Sequence, residues 1–366
     1  MHDVQAFVAA HWRPADELHG YASVASENSS RSWYAALAAA GWSVPGWPRE
    51  QGGTGWSRRQ HWLFERVLAE SGATSPATVA TLFVGPMLLA FGNARQRQLL
   101  AGIRELTEPW SVAVADLEHA SVDGGRLTGA KAWVSGASTA EWFLVWSDGW
   151  WLVPRDARGL QIEPVPMMGE QLDVCRLRFE GVVVEPWQRL AGADLDWQPP
   201  PHPVAWTRAA RLNRAMRSLD ELAERQGGGL AEDADFRAAR NSLSVAIAAV
   251  EGVEARATDA WLRGENPSAL ALVAALKGVE TGQELSTLAA RSMGYYALPY
   301  PDAMLLSNEG VIGDELALPA VQHMLFDRAW SLHTAAGAGE TTEQLKNRMA
   351  RDVLGLPADE PGASEV

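Results

Sequence analysis

The middle of the chain differs in character from the two long regions that flank it, and this change restricts the fold more than any other feature. Residues 111–197 contain short runs of β-branched and aromatic residues, such as Trp142–Trp146, Trp150–Pro154 and Leu160–Val165, separated by Gly, Asp and Pro. Such runs are typical of short strands joined by turns. The sequence therefore predicts a small antiparallel β-barrel or β-sandwich here.

Residues 1–110 have the pattern of a helical domain. Apolar residues recur on one side of a helix in Trp62–Glu70. The segment Gly41–Ser57 ahead of it is rich in glycine and contains Pro45 and Pro48. That composition excludes a helix and predicts an ordered, turn-rich link.

Residues 204–357 return to a helical pattern, with long apolar-periodic segments at Arg237–Leu262 and Pro267–Met293. The proline-rich stretch Gln198–Pro203 separates them from the β region and is interpreted as a linker. Residues 358–366 are expected to form a flexible tail. The overall prediction is an α+β protein with helical, β and helical domains in that order.

Composition excludes several classes of function. The formal net charge of −14 disfavours nucleic acids and anionic membrane surfaces as partners. The single cysteine, Cys175, excludes an internal disulfide framework and indicates a reducing compartment such as the cytoplasm. The sequence shows no basic leader, and no uncharged apolar run approaches the roughly 18 residues of a membrane-spanning helix.

Two distant motifs carry a resemblance to a known family. Ala335–Asn347 continues without a break into Arg348–Pro357, and the glycine-rich link Gly41–Ser57 lies far ahead of both. The continuous C-terminal segment Ala335–Pro357 resembles the Gly-Thr turn and helix that end acyl-CoA dehydrogenases. The link Gly41–Ser57 resembles their N-terminal Trp-Pro…Gly-Gly segment. This resemblance implies the acyl-CoA dehydrogenase fold, with a C-terminal four-helix bundle.

The expected catalytic base is missing. Many members of the family carry a glutamate immediately before the Gly-Thr pair. Matching Val353–Pro357 back to Thr341 without a gap places Gly339 at that position and Glu340 at the family's glycine. Moving a carboxylate by one helical residue rotates it by about 100° and shifts it by about 1.5 Å. Proton abstraction needs an approach of about 3 Å, so Glu340 is a poorly placed candidate base.

The resemblance also implies FAD as cofactor. Gly129–Ala137 is similar to the family's Gly-x-Lys-x-Trp strand, in which the tryptophan lies against the flavin and a hydroxyl two residues later bonds its N5/O4 edge. Trp133 and Ser135 occupy those positions. The alternative is that Trp133 only fills the β-domain core. Thr341 and Thr342, at the Gly-Thr turn, are further expected FAD contacts.

Other parts of the family's site are altered. The Thr-Glu-Pro-x-x-Gly-Ser-Asp loop that cradles flavin and acyl-CoA is replaced by Ala115–Val122, which has no Pro or Gly. Arg208 and Arg211 stand three residues apart at the start of the C-terminal domain. They are expected to hold the phosphates of CoA or an acidic neighbouring subunit, the alternative being an ordinary solvated helix face. Arg225 stands where the family places an arginine on the partner's FAD pyrophosphate, although the accompanying Phe is gone.

No metal-ligand spacing occurs among the eight histidines, so no metal is expected. No Gly-x-Gly-x-x-Gly motif follows a strand, which argues against a Rossmann enzyme.

Three functions remain open. The first is the degenerate subunit of a heteromeric (α2β2) acyl-CoA dehydrogenase, resembling those of bacterial steroid degradation. A homologous subunit would then supply the glutamate, an electron-transfer flavoprotein would reoxidise FAD, and a trans-2-enoyl-CoA would be formed. The second is a homotetrameric flavoenzyme with a rearranged base. The third is a purely structural partner subunit that binds neither FAD nor CoA.

Overall fold

The structure, a computed structural model, describes residues 2–12, 27–165, 174–225, 229–292 and 342–356. Its N-terminal part is helical, as the sequence predicts. It contains helices α1 (His2–His11), α2 (Glu27–Ala39), α3 (Arg58–Ser71), α4 (Gly85–Phe91) and α5 (Leu100–Glu105). Short 3₁₀ segments at Arg49–Gln51 and Gln96–Leu99 and a π-turn at Ala80–Val84 connect them.

Helix α3 has well-defined start and stop signals. The hydroxyl of Ser57 accepts a hydrogen bond from the backbone N–H of Gln60 at 3.3 Å, and the Gln60 side chain accepts one from the Ser57 N–H at 2.9 Å. This reciprocal capping box satisfies two donors that the first turn leaves free. Gly72, in the left-handed conformation at φ 75°, ends the helix. The buried side chains Phe64 and Leu68 pack it into the N-terminal core.

The middle of the chain forms two four-stranded sheets. The strands are β1 (Trp110–Ala113), β2 (Asp116–Asp123), β3 (Arg126–Ser135), β4 (Trp142–Trp146), β5 (Trp150–Pro154), β6 (Leu160–Pro164), β7 (Val174–Val183) and β8 (Arg189–Leu190). One sheet has the order β1-β4-β5-β8 and the other β2-β3-β7-β6. Buried residues from both sheets, among them Phe143, Val145, Leu127 and Phe179, share one core. The β region is therefore a sandwich, one of the two predicted forms.

The pairing differs from the prediction at one place. Strand β1 runs parallel to β4, with Trp110 opposite Trp142, whereas every other pairing among the described strands is antiparallel. The reason is topological. After β1 the chain crosses to the second sheet to form β2 and β3, and it then returns to the first sheet in the direction of β1.

The C-terminal part contains long helices that pack against each other. They are α6 (Arg208–Arg225), α8 (Ala234–Arg263) and α9 (Ser268–Ser292), with the short α7 (Gly229–Glu232) between the first two and α10 (Thr342–Asp352) after the third. Leu219, Ile247 and Leu285 join α6, α8 and α9 in one core, and Leu345 seats α10 on α9. Residues 293–341 lie outside the described part, so the predicted number of four helices stays a prediction.

The linker before α6 is ordered rather than a simple spacer. Pro203–Trp206 forms a 3₁₀ turn, and His202, just ahead of it, contacts α3. Trp206 is buried against Trp261 near the end of α8. The N-terminal helices and the C-terminal helices therefore meet at this linker. Among the described residues, no helix combines the length and the hydrophobicity that a membrane span requires.

Candidate active site

Trp133 is held at the surface of the β-sandwich by an irregularity in β3. The register between β3 and β7 shifts between Lys131 and Val134, and Trp133 adopts a φ of 55°. Positive φ is uncommon and strained for a bulky residue. The shift turns the indole outward, where 53% of the residue is exposed. Trp133 therefore does not fill the β core, and about half of the residue is exposed at the surface of the sandwich.

The rest of the Gly-x-Lys-x-Trp segment is held tightly. A side chain at Gly129 would come within 2.4 Å of the backbone oxygen of His119, so only glycine permits the close approach of β2. At the other end, the hydroxyl of Ser111 donates to the backbone oxygen of Ser135 at 2.8 Å. Ser135 is half-buried and follows the bulge. These contacts fix the segment on which the two expected FAD contacts stand.

After β1, the buried ammonium of Lys131 pairs with the partly exposed carboxylate of Asp116. Lys131 is only 1% exposed, and its ammonium donates to Asp116 and, at 2.8 Å, to the backbone oxygen of Val114. The N–H of Ala132 donates to the oxygen of Ala115 at 2.9 Å. Only two residues, Val114 and Ala115, separate β1 from β2, so this connection has no segment as long as the family's cradle loop.

The start of α6 is capped by a carboxylate from α8. Glu254, 6% exposed, accepts hydrogen bonds from the N–H groups of Arg208 (2.6 Å) and Ala209 (3.1 and 3.2 Å). The first-turn N–H groups of a helix have no partner within the helix, and they carry its positive dipole end. Burial raises the pKa of Glu254, while these hydrogen bonds and Arg211 lower it.

The two arginines expected to bind CoA differ in exposure, since Arg208 is half-buried and Arg211 is exposed. The side-chain stem of Arg208 packs on α9, where a side chain at Gly278 would come within 2.1 Å of its Cδ. The Arg211 residue as a whole is exposed. Desolvation by the surrounding protein lowers the pKa of its guanidinium, while the nearby carboxylates of Glu254 and Glu65 raise it. The role of both arginines toward CoA stays a prediction.

A buried polar cluster, which the sequence analysis did not anticipate, lies between α3 and the linker. It consists of His61, Glu65 and His202, whose nitrogen and oxygen atoms lie within 4.8 Å of one another. Nε2 of His61 is 3.0 Å from Nε2 of His202, which in turn is 4.0 Å from Oε1 of Glu65. His61 and Glu65 are four residues apart on one helix face, but no local spacing points to His202.

The protonation of this polar cluster follows from its burial. Burial lowers the pKa of His61 to about 4 and raises that of Glu65 to about 7, although a hydrogen bond from Ser75 opposes the shift at Glu65. Burial and the neighbouring His61 also lower the pKa of His202. The two imidazoles are therefore neutral near pH 7.

The two carboxylate oxygens of Glu65 differ in their hydrogen bonds. Oε2 accepts a hydrogen bond from the Ser75 hydroxyl at 2.8 Å, while the buried Oε1 has no hydrogen-bond partner among the described residues.

The remaining sequence predictions fall at or beyond the edge of the described residues. Gly339, Glu340 and Thr341 lie outside them, and so does the side chain of Arg225, whose backbone ends α6. Thr342 is the first residue of α10 and is half-buried. The structure does not test the roles of these residues.

Comparison with known proteins relates the chain to one group. Residues 1–102 match the family model described as acyl-CoA dehydrogenase, N-terminal domain. Two curated relatives are both named acyl-CoA dehydrogenase IpdE1. The one from Mycobacterium tuberculosis is 33% identical over 160 residues, which cover 37% of this chain and 42% of the relative. The one from Mycolicibacterium smegmatis is 24% identical over 374 residues, which cover 91% and 89%. The first alignment thus spans less than half of that relative.

Solved structures share the fold along almost the whole chain. The Tcur3481–Tcur3483 steroid ACAD has a TM-score of 0.71 at 21% identity and covers 98% of this chain and 97% of its own. The ChsE4–ChsE5 complex from Mycobacterium tuberculosis has the same TM-score and coverage at 20% identity. The FAD complex of PigA has a TM-score of 0.67 at 14% identity, with 97% and 98% covered. The predicted α+β fold is confirmed.

Proposed function

We propose that this chain, whose residues 1–102 match the N-terminal domain of acyl-CoA dehydrogenases, is a member of that family and forms the subunit without a catalytic base in a heteromeric, FAD-dependent enzyme. The partner is a homologous subunit that carries the glutamate. Together they convert an acyl-CoA to a trans-2-enoyl-CoA, and an electron-transfer flavoprotein reoxidises the cofactor. The names of similar complexes, one of them a steroid ACAD, support a steroid side-chain thioester as the acyl group.

The observation that carries this proposal is the lack of a carboxylate at the matched base position and of an available one, among the described residues, near the start of α6. Gly339 occupies the position of the family's base. Near the start of α6, where some members place an alternative base, the described carboxylates are engaged or enclosed. Glu254 accepts hydrogen bonds from the N–H groups in the first turn of α6. Glu65 is only 1% exposed. A general base must come within about 3 Å of the proton that it removes, and neither carboxylate is free to do so.

The exposed face of α8 supports a partner subunit. Val245 is 72% exposed in the middle of this 30-residue helix. Exposed small residues extend the same surface, namely Ala248, Ala249, Gly252 and Ala255. A contiguous apolar face on a long helix is typical of a protein–protein contact, and small side chains allow another helix to approach closely. This face is a suitable contact for the homologous subunit.

FAD fits the exposed face of Trp133. A flavin ring is planar, and an indole held outward by a strained backbone offers a flat, polarisable surface for it. The Ser135 hydroxyl, two residues later, is proposed to bond the flavin edge, with Thr341 and Thr342 as further contacts. Arg225 is proposed to reach the FAD pyrophosphate of the partner subunit. When bound, FAD supplies a hydride acceptor for the β-carbon of the substrate. The chain's own contribution is to orient the cofactor and, through Arg208 and Arg211, the phosphates of CoA.

Expression of the chain alone and with the homologous subunit tests the proposed function. Alone, the chain is expected to show no acyl-CoA-dependent bleaching of flavin, because it has no carboxylate in position to act as the catalytic base. Co-expression is expected to give a complex that dehydrogenates acyl-CoA with an artificial electron acceptor. Yellow protein that is active alone would establish a self-sufficient homotetramer. A complex in which only the partner binds FAD and acyl-CoA would establish a structural role.

Substitution of Trp133 by Ala tests the cofactor assignment. In the assembled complex, Trp133→Ala is expected to lower FAD occupancy at least several-fold or to shift the flavin absorption bands, because it removes the surface against which the ring lies. FAD is measured by absorbance after release, against protein concentration. Trp62→Ala, which removes another partly exposed tryptophan on α3, is the control and should leave FAD content unchanged. Unaltered occupancy and spectrum in Trp133→Ala would refute the assignment.

A further inference from the structure

We propose that His61, Glu65 and His202 form a site for a divalent transition-metal ion of the zinc class, joining α3 to the linker that leads into α6. This site is separate from the expected flavin contacts on β3. Its role is structural: it connects the N-terminal helices to the C-terminal helices at the point where they meet.

The donor set matches the chemistry of such an ion. Two imidazole nitrogens and one carboxylate oxygen are a common set of protein ligands for zinc, which leaves a fourth position to water or another group. His61 and Glu65 lie one helical turn apart on α3, so a single rigid element presents both. His202 approaches from the linker, 141 residues away in sequence from His61.

The distances are close to those that a metal ion requires. Neighbouring donors around a tetrahedral zinc ion are about 3.3 Å apart when the metal–ligand bonds are about 2.0–2.1 Å. In the cluster, the two Nε2 atoms are 3.0 Å apart, and Nε2 of His202 is 4.0 Å from Oε1 of Glu65. Small side-chain rotations therefore suffice to place all three donors around one ion.

One carboxylate oxygen is otherwise left without a partner. Oε2 of Glu65 accepts from Ser75, whereas Oε1 is buried and has no hydrogen-bond partner among the described residues. A buried polar atom without a partner is costly. A metal ion coordinated by Oε1 removes that cost. The Ser75 hydroxyl then acts as a positioning group for the ligand, as is usual around metal sites.

A metal-free arrangement competes with this site. The N–H of Val204 donates to Nδ1 of His202 at 3.3 Å. In the metal-free protein, Nε2 of His202 therefore carries the proton and donates to His61. Metal binding moves that proton and therefore gives up two hydrogen bonds, the one between the imidazoles and the long Val204 contact. Together they are worth far less than the free energy with which protein ligands hold a structural zinc ion.

The surrounding charges tolerate a dication. Arg211 acts on Glu65 and on Glu254, so one guanidinium faces two carboxylates. The two carboxylates outnumber the one guanidinium, which limits the repulsion that an added cation would meet.

Cobalt titration of the assembled complex tests the site. Tag-free complex is treated with chelator, dialysed and titrated with Co²⁺, whose visible d–d bands report coordination by nitrogen and oxygen. Wild-type complex is expected to bind about one equivalent per copy of this chain with a tetrahedral or five-coordinate spectrum, and Zn²⁺ should displace it. Loss of a supporting residue already costs about 10–100-fold in metal affinity. His202→Gln and Glu65→Gln are therefore each expected to weaken Co²⁺ binding by about 100-fold or more.

The cobalt titration has a control variant outside the cluster of His61, Glu65 and His202. His119→Gln replaces an exposed histidine beside Asp116 and should leave the titration unchanged. If a ligand variant fails to assemble, the zinc content and the Co²⁺ spectrum of the wild-type complex still decide the question. The proposal would be overturned if the wild-type complex gave no Co²⁺ bands and, after incubation with zinc, retained less than about one-tenth of an equivalent of zinc.

Discussion

Replacing Glu340 by Gln in the co-expressed complex is expected to leave turnover near normal. Removing the catalytic glutamate of the partner subunit is expected to lower it by about 10²–10⁴-fold or more. The reason is geometric. A carboxylate displaced by one helical residue points about 100° away from the position of the family's base. Turnover is followed as acyl-CoA-dependent reduction of an artificial electron acceptor, with FAD content and assembly measured on the same samples.

Glu343→Gln is the matched control for this experiment. Glu343 is an exposed residue in the first turn of α10, where loss of a carboxylate costs only a modest interaction with the helix dipole. Glu340→Gln and Glu343→Gln should therefore behave alike. If Glu340→Gln alone abolished turnover while FAD content and assembly stayed intact, this chain would be the catalyst and the partner-supplied base would be rejected.

The elements that the sequence predicted well are those defined by local pattern. Strands β4 and β5 begin and end where the aromatic runs Trp142–Trp146 and Trp150–Pro154 do. Helix α8 extends the predicted Arg237–Leu262 by a few residues at its N-terminal end, because Asp233 caps it ahead of the apolar pattern. Hydrophobic spacing and turn residues carry this information, so one sequence is enough.

The features that the sequence did not predict depend on contacts between distant segments. The parallel pairing of β1 with β4 arises from the path of the chain between the two sheets. The outward position of Trp133 was expected from the resemblance, but the bulge against β7 that produces it was not. His202 meets His61 only because the linker packs on α3. None of these contacts leaves a periodic signal in the sequence.

Glu254 shows the same limit for the candidate site. In the sequence it is one of many acidic residues on a long helix. In the structure its carboxylate faces the start of α6 and accepts hydrogen bonds from the N–H groups of Arg208 and Ala209. These residues are 46 and 45 positions away in sequence. It therefore sets the position of the helix that carries Arg208 and Arg211. A positioning carboxylate of this kind becomes visible only when the helices are packed.

Replacing Glu254 by Ala is expected to lower the free energy of unfolding by about 3 kcal/mol, because it leaves two first-turn N–H groups and the nearby Arg211 without their buried carboxylate. Glu254→Gln keeps an acceptor oxygen but loses the charge, so about 1 kcal/mol is expected. Urea unfolding followed by circular dichroism measures both. Glu251→Ala, one turn earlier on the exposed side of α8, should change the free energy by less than about 0.5 kcal/mol. If Glu254→Ala were as mild as Glu251→Ala, the carboxylate would not hold α6, and another contact would have to position the arginines.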